Sequence, residues 1–156
     1  MKAEVLNAFF QAAVEILRCE IKDSVHRGAL AATIAPTLDS EVTVFLGAVG
    51  NLRGLVLFGM SRETALALAS RMAGMPFTTL DDLVLSAVAE LGNVVTGRAL
   101  MALSEQGYAC DLTPPSVMVG KGAYFSTLGI PRIRIPLYTS LGEIRLDVAL
   151  QESPKG

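Results

Sequence analysis

The chain has one histidine and two cysteines in 156 residues. Cys19 and Cys110 lie far apart and belong to no metal-ligand spacing, and His26 alone cannot complete a zinc site with them. His-based nucleophilic triads and zinc hydrolysis are therefore excluded together. Both cysteines read as buried free thiols, and His26, beyond the end of the first helix beside Arg27, reads as a loop residue. No GxGxxG or Walker-type glycine loop is present, so the chain has no nucleotide cradle. There is no basic run either. With 13 Lys and Arg against 15 Asp and Glu, the net charge is −2, and the electrostatic footprint of a nucleic-acid binder is missing. Uncharged stretches such as 42–52 and 122–131 are too short to span a bilayer and contain glycine or proline. Glu4 and Glu15 fall where a signal peptide would need an apolar core. These absences imply a cytoplasmic protein with no membrane insertion, no nucleic-acid partner and no metal site.

Apolar residues are plentiful. They make up 51% of the chain, with only 18% charged, which predicts a large core and leaves room for a hydrophobic partner surface. Length predicts one domain over 1–150 and a solvated tail over 151–156.

One long helix, read over 79–105, organises the rest. Leu83, Val84, Ala87, Val88, Leu91, Val94, Val95 and Met101 recur at helical spacing and predict burial over most of the cylinder. At ~100° per residue, Asp82, Ser86, Glu90, Asn93, Gly97 and Ser104 fall within roughly 80°, as a polar stripe. Glu90 and Asn93 stand at i and i+3, so both project to the same side. Gly92 and Gly97 each cost roughly 1 kcal/mol relative to alanine. Poor helix formers beside a wet stripe mark a place where something must come close, either a partner or a neighbouring element.

The remaining pattern predicts an α+β domain whose helices pack on a mainly antiparallel sheet. A first amphipathic helix covers 2–22, with Gly28 as the stop signal. A strand is read over 29–35, then a hairpin of 41–48 and 52–60 joined at residues 49–51. Ser61 caps a short helix that Gly74 ends, and Thr79 is the expected cap of the long one. Pro114-Pro115 force an extended turn before strands at 116–120 and 122–128. Residues 131–139 and 143–150 alternate as a closing hairpin, with Ile144, Leu146, Val148 and Leu150 inward and Arg145 and Asp147 outward. Pro136 pushes its strand towards an edge or a bulge.

A weak internal duplication is also legible. Residues 8–18 match 83–93 without gaps, placing Gln11 on Ser86, Glu15 on Glu90 and Arg18 on Asn93, and each helix precedes a hairpin.

The string SAVAELGNVVTG, followed after the helix by TPP at residues 113–115, resembles the signature of the CheC/CheX/FliY phosphatases, most closely the CheX branch. The likeness extends from the NAF…VEILR helix through LDDLVLSAVAELGN and DLTPPSV to the closing strands. It implies a CheC/CheX-like fold with two long helices and a shorter one, and a phosphatase acting on the phospho-aspartate of a CheY-type response regulator in chemotaxis. Asn93 would orient the attacking water and Glu90 would engage the receiver's lysine, with Ser86, Gly97 and Pro114 at the contact. The phosphorylated receiver would bring its own Mg²⁺, and the chain would form a homodimer. Arg18, having donors only, cannot hold water as an amide does, so one site per chain is expected. The alternative is a non-catalytic adaptor that binds a receiver in this or another two-component pathway.

Overall fold

The computed structural model describes residues 1–33 and 36–154. Three helices, α1 (Ala3–Ile21), α2 (Arg62–Ala73) and α3 (Asp82–Glu105), pack against one another and onto an antiparallel sheet. Its strands are β1 (Val25–Arg27), β2 (Ala31–Thr33), β3 (Val42–Gly50), β4 (Leu52–Met60), β5 (Cys110–Leu112), β6 (Ser116–Val119), β7 (Arg132–Thr139) and β8 (Gly142–Glu152). The order is β1-β7-β8-β4-β3-β5, with β2 also on β7 and β6 also on β3. The expected α+β architecture is what the chain adopts.

Local chemistry sets most boundaries. Ser61 Oγ accepts from Thr64 N–H, and α2 ends at Gly74 in the left-handed conformation, as predicted. α3 starts later than expected. Thr79 C=O is used in a tight turn by Asp81 N–H, and Asp81 Oδ1 caps the helix instead, accepting from Val84 N–H at 2.9 Å. α1 stops at Lys22, itself left-handed, and not at Gly28. Gly28 lies between β1 and β2, where its N–H donates to Pro136 O. Pro136 thus sits in an interior strand, opposite the break between β1 and β2, where its missing N–H breaks no ladder bond.

Several details differ from the sequence reading. His26 belongs to β1, paired with Tyr138. The strand read over 29–35 shortens to β2, and positions 34 and 35 lie outside the described residues. Residues 122–128 cross the sheet's outer face and touch strand geometry only where Tyr124 bridges Thr37. β8 runs through Gln151 and Glu152, which pair with Arg53 and Leu52. Cys19 is exposed and Cys110 only half-buried, its Sγ accepting from Leu52 N–H.

The duplication is visible in the pairing register. β1 and β2, from the first half, pair with β7 of the second half; β5 and β6, from the second, pair with β3 of the first. Val25 faces Thr139 as Cys110 faces Gly50, and Ala31 faces Arg134 as Ser116 faces Phe45. The displacement between equivalents is the same in both places. The ends of α1 and α3 are therefore equivalent, since each leads directly into its edge strand. The gapless match of 8–18 to 83–93 is shifted from this register. Arg18 corresponds to the last turn of α3, and the place of Asn93 falls at Ala8 in α1.

α3 sits on the sheet at Gly92. A Cβ there would lie 3.0 Å from Val44 Cγ1, 3.2 Å from Phe58 Cδ2 and 3.4 Å from Leu46 Cδ1, all on buried side chains of β3 and β4. Gly97 differs: the nearest atom to a Cβ there is Leu112 Cδ2, at 4.0 Å.

The sheet's other face is closed by segments 36–41 and 120–125, joined by backbone bonds such as Leu38 N–H to Ala123 O. Asp147, expected outward, does point away from the helices but is buried beneath this cover. Arg134 holds it through two bonds, Nε to Oδ1 at 2.8 Å and Nη2 to Oδ2 at 3.0 Å, and also reaches Asp39. Burial pushes the Asp39 carboxyl up, but hydrogen bonds from Arg134 and the charges of Arg134 and Arg145 hold it below its ordinary value.

Gly92→Ala gains about 1 kcal/mol of helix propensity but overpacks against Val44 and Phe58 at a cost of about 1–3 kcal/mol, so a net loss is expected. Gly97→Ala should instead stabilise by up to about 1 kcal/mol. Equal gains in urea unfolding would show that the contact at Gly92 is loose. For Asp39, a depressed folded pKa means stability present above the unfolded value, ~3.9, and lost as pH falls through the folded one. Asp39→Asn should be less stable at neutral pH and flatten the acid limb below about pH 4. Parallel acid limbs for wild type and variant would refute this linkage.

Candidate active site

The orientation of α3 follows from Gly92. With position 92 against the sheet and ~100° per residue, Glu90 points nearly opposite and Asn93 points sideways. Glu90 is accordingly exposed and Asn93 half-buried. Neither side chain makes a hydrogen bond or ion pair among the described residues, so both carry unused polar atoms towards solvent. Ser86 is exposed one turn before Glu90, and half-buried Gly97 follows one turn after Asn93. The four expected helix positions therefore share one open face.

The flank of this face is built by β5 and the turn after it. Leu112 ends β5 next to Gly97. Thr113 then clips the turn to β3: its N–H donates to Gly47 O at 2.9 Å, and its Oγ1 accepts from Gly47 N–H at 2.7 Å. A Cβ on residue 47 would come within 3.1 Å of the Thr113 side chain, so a side chain there would crowd the clip. Pro114, exposed, follows immediately and is thereby set beside the Gly97 end of α3. Thr113 and Gly47 were not singled out from sequence, because a β-strand glycine and a threonine 66 positions later show no local sign of pairing.

On the other side, Arg98 ion-pairs with Glu15, tying α3 to its antiparallel neighbour α1. Tyr108 Oη donates to Glu4 at the far end of the same helix pair.

The apolar reading of α3 needs one correction. Val84, Val88, Leu91, Val95 and Ala87 are buried or half-buried, but Leu83 is 67%, Met101 61% and Val94 39% exposed. The signal was in the helical wheel. These three lie within about 40° of Glu90, on the side of the stripe away from Asn93. By length and composition alone α3 could cross a membrane, yet its buried side packs into the protein core.

Comparison with known proteins places this geometry. The sequence profile of the family described as chemotaxis phosphatase CheX matches residues 42–137. CheY-P phosphatase CheX of Thermotoga maritima is 30% identical over 131 residues, covering 83% of this chain and 84% of that protein. A CheC-like superfamily protein from Shewanella sp. PV-4 superposes with a TM-score of 0.87 at 23% identity, over 97% of this chain and 99% of its own. The CheX–CheY–BeF3–Mg²⁺ complex from Borrelia burgdorferi gives a TM-score of 0.81 at 24% identity, over 94% of this chain and 97% of that one. The exposed Glu90–Asn93 helix thus lies in a chain that belongs to the chemotaxis phosphatase CheX family.

Proposed function

We propose that this protein hydrolyses the phospho-aspartate of a CheY-type receiver, with Asn93 and Glu90 as the residues that enter the receiver's site. The observation that carries the reading is the pair itself, presented on an open helix face with no internal partner. The Thermotoga relative bears the name CheY-P phosphatase, and the Borrelia relative is a complex with CheY, BeF3 and Mg²⁺.

The chemistry asks little of this chain. An acyl phosphate has a good leaving group, and its loose transition state needs little deprotonation of the nucleophile. Water attacks phosphorus, the bond between phosphorus and the aspartate oxygen breaks, and its electron pair returns to the carboxylate. The water's proton leaves with inorganic phosphate. The Asn93 carbonyl accepts a hydrogen bond from the water and holds it in line, acting by position and not as a base. Glu90, a carboxylate with unused acceptors, engages the receiver's active-site lysine. Mg²⁺ belongs to the receiver and offsets charge on the transferring group. Ser86, Gly97 and Pro114 border the contact. Gly97 is less crowded than Gly92, its Cβ position 4.0 Å from Leu112 Cδ2, which suits a close approach from outside. The reaction is assigned to the cytoplasm, with the chain as a homodimer.

Asn93→Ala is expected to lower the rate of receiver dephosphorylation by roughly 10²-fold or more while leaving receiver affinity within a few-fold. Arg18→Ala, in the last turn of α1, should leave turnover unchanged. The measurement is phosphate release from receivers phosphorylated in vitro with Mg²⁺. A wild-type rate in Asn93→Ala would reject the assignment. Binding by wild type with no acceleration would establish the adaptor instead.

A further inference from the structure

We infer that the two edges of the open face of α3 have separate tasks, and that Leu83, Val94 and Met101 form the surface on which the receiver docks. This rests on the phosphatase reading and adds to it where the affinity resides. The partner it fits is the receiver domain itself, through apolar surface directly flanking its phosphorylated aspartate.

Three observations carry it. First, the exposure is large and directional. Leu83 and Met101 keep more than half their surface in water, yet they flank a glutamate on a helix whose inward side is already apolar. An amphipathic helix that only packs against its own core carries polar residues at such positions. Second, the three side chains share one side of the helix. At ~1.5 Å per residue they extend about 27 Å along the axis, with Glu90 between Leu83 and Val94. They bracket Glu90, the residue that on the phosphatase reading enters the receiver's site. Third, the chemistry of the two edges differs. Ser86, Asn93, Gly97 and Ser104 lie on one side of Glu90, and Leu83, Ala87, Val94 and Met101 on the other. A water-holding amide needs a polar, precisely spaced neighbourhood, whereas desolvation of apolar groups supplies most of the association energy at interface centres. Met101, unbranched and polarisable, suits a surface that must adapt to its partner.

Other exposed apolar residues do not share this placement. Tyr124 and Leu128 are more exposed still, but they stand on the segment crossing the outer face of the sheet. They serve as controls.

The test uses the full chain with Leu83→Ser, Met101→Ser and both together, with Leu128→Ser as control. Steady-state hydrolysis of a phosphorylated CheY-type receiver, receiver binding by calorimetry, and assembly mass by sedimentation are measured on each. Each single variant should raise KM and Kd about tenfold, and the double variant further, with kcat within about twofold and assembly mass unchanged. Leu128→Ser should match wild type in all three. Unchanged KM and Kd in the double variant, with normal hydrolysis by wild type, would overturn the docking assignment alone. Loss of assembly mass in the double variant would show that the row faces a second copy of this chain and would overturn it as well. If wild type binds receivers through the row but accelerates no phosphate loss, the phosphatase reading fails and the docking surface stands. If wild type binds no receiver, both fall.

Discussion

The close contact of α3 with the sheet at Gly92 is the constraint from which the rest of the site follows. Val44, Leu46 and Phe58 fill the space where a side chain at 92 would go, so the helix backbone rests on β3 and β4. A helix pinned at one residue has its rotation determined, because every other side chain then points at a known angle from it. Glu90 is turned away from the sheet and Asn93 is turned to the flank, half-covered by its surroundings. A half-buried amide loses fewer rotamers on meeting a partner than a fully exposed one, which is the condition for positional catalysis. The poorest helix former in the middle of α3 is thus what aims the proposed Glu90–Asn93 pair.

The flanking turn depends on a second contact of the same kind. Gly47 admits the Thr113 side chain as Gly92 admits the sheet, and two hydrogen bonds hold Pro114 in place. Proline keeps its own φ fixed, so once Thr113 is anchored little freedom remains in the turn. On the proposed reading the receiver meets a prearranged surface built from a helix and a clipped turn. It brings the metal and the lysine, while this chain supplies a water-holding amide and a carboxylate. Small rigid contributions suffice when the leaving group is already good.

Much of this was legible in the sequence because the elements are locally consistent. The closing hairpin alternates cleanly, and Ile144, Leu146, Val148 and Leu150 are all buried as their period demands. Ser61 and Gly74 bracket α2 by local cap chemistry, and the stripe of α3 came out on one open face. What was not legible depends on contacts between distant segments. Asp147 read as a solvent-facing residue because its alternation is right. Only the cover of residues 36–41 and 120–125, with Arg132 and Arg134 beneath it, makes that face an interior. Lys22 ended α1 where glycine was expected because the chain has to turn at once into β1, which pairs with a strand more than a hundred residues away. Leu83, Val94 and Met101 were misplaced for a different reason. Hydrophobicity records what a side chain would gain by burial and carries no information on whether this chain or another provides it.

The duplication sets side by side two ways in which a long helix can meet the sheet. Each half lends its short strands to the hairpin of the other, so neither half can complete a sheet by itself. With the two hairpins joined through β4 and β8, the core requires a helix over each, and either could in principle present a polar pair. The halves resolved this differently. In α1 the position equivalent to Asn93 is Ala8, buried, followed by Phe9, fully buried, and Phe10, half-buried beneath the guanidinium of Arg27. Aromatic bulk there fills the space over the first half's sheet and commits α1 to packing. α3 instead meets the sheet at Gly92, which seats its backbone on Val44, Leu46 and Phe58. A large residue anchors a helix by its side chain and a glycine anchors it by its backbone.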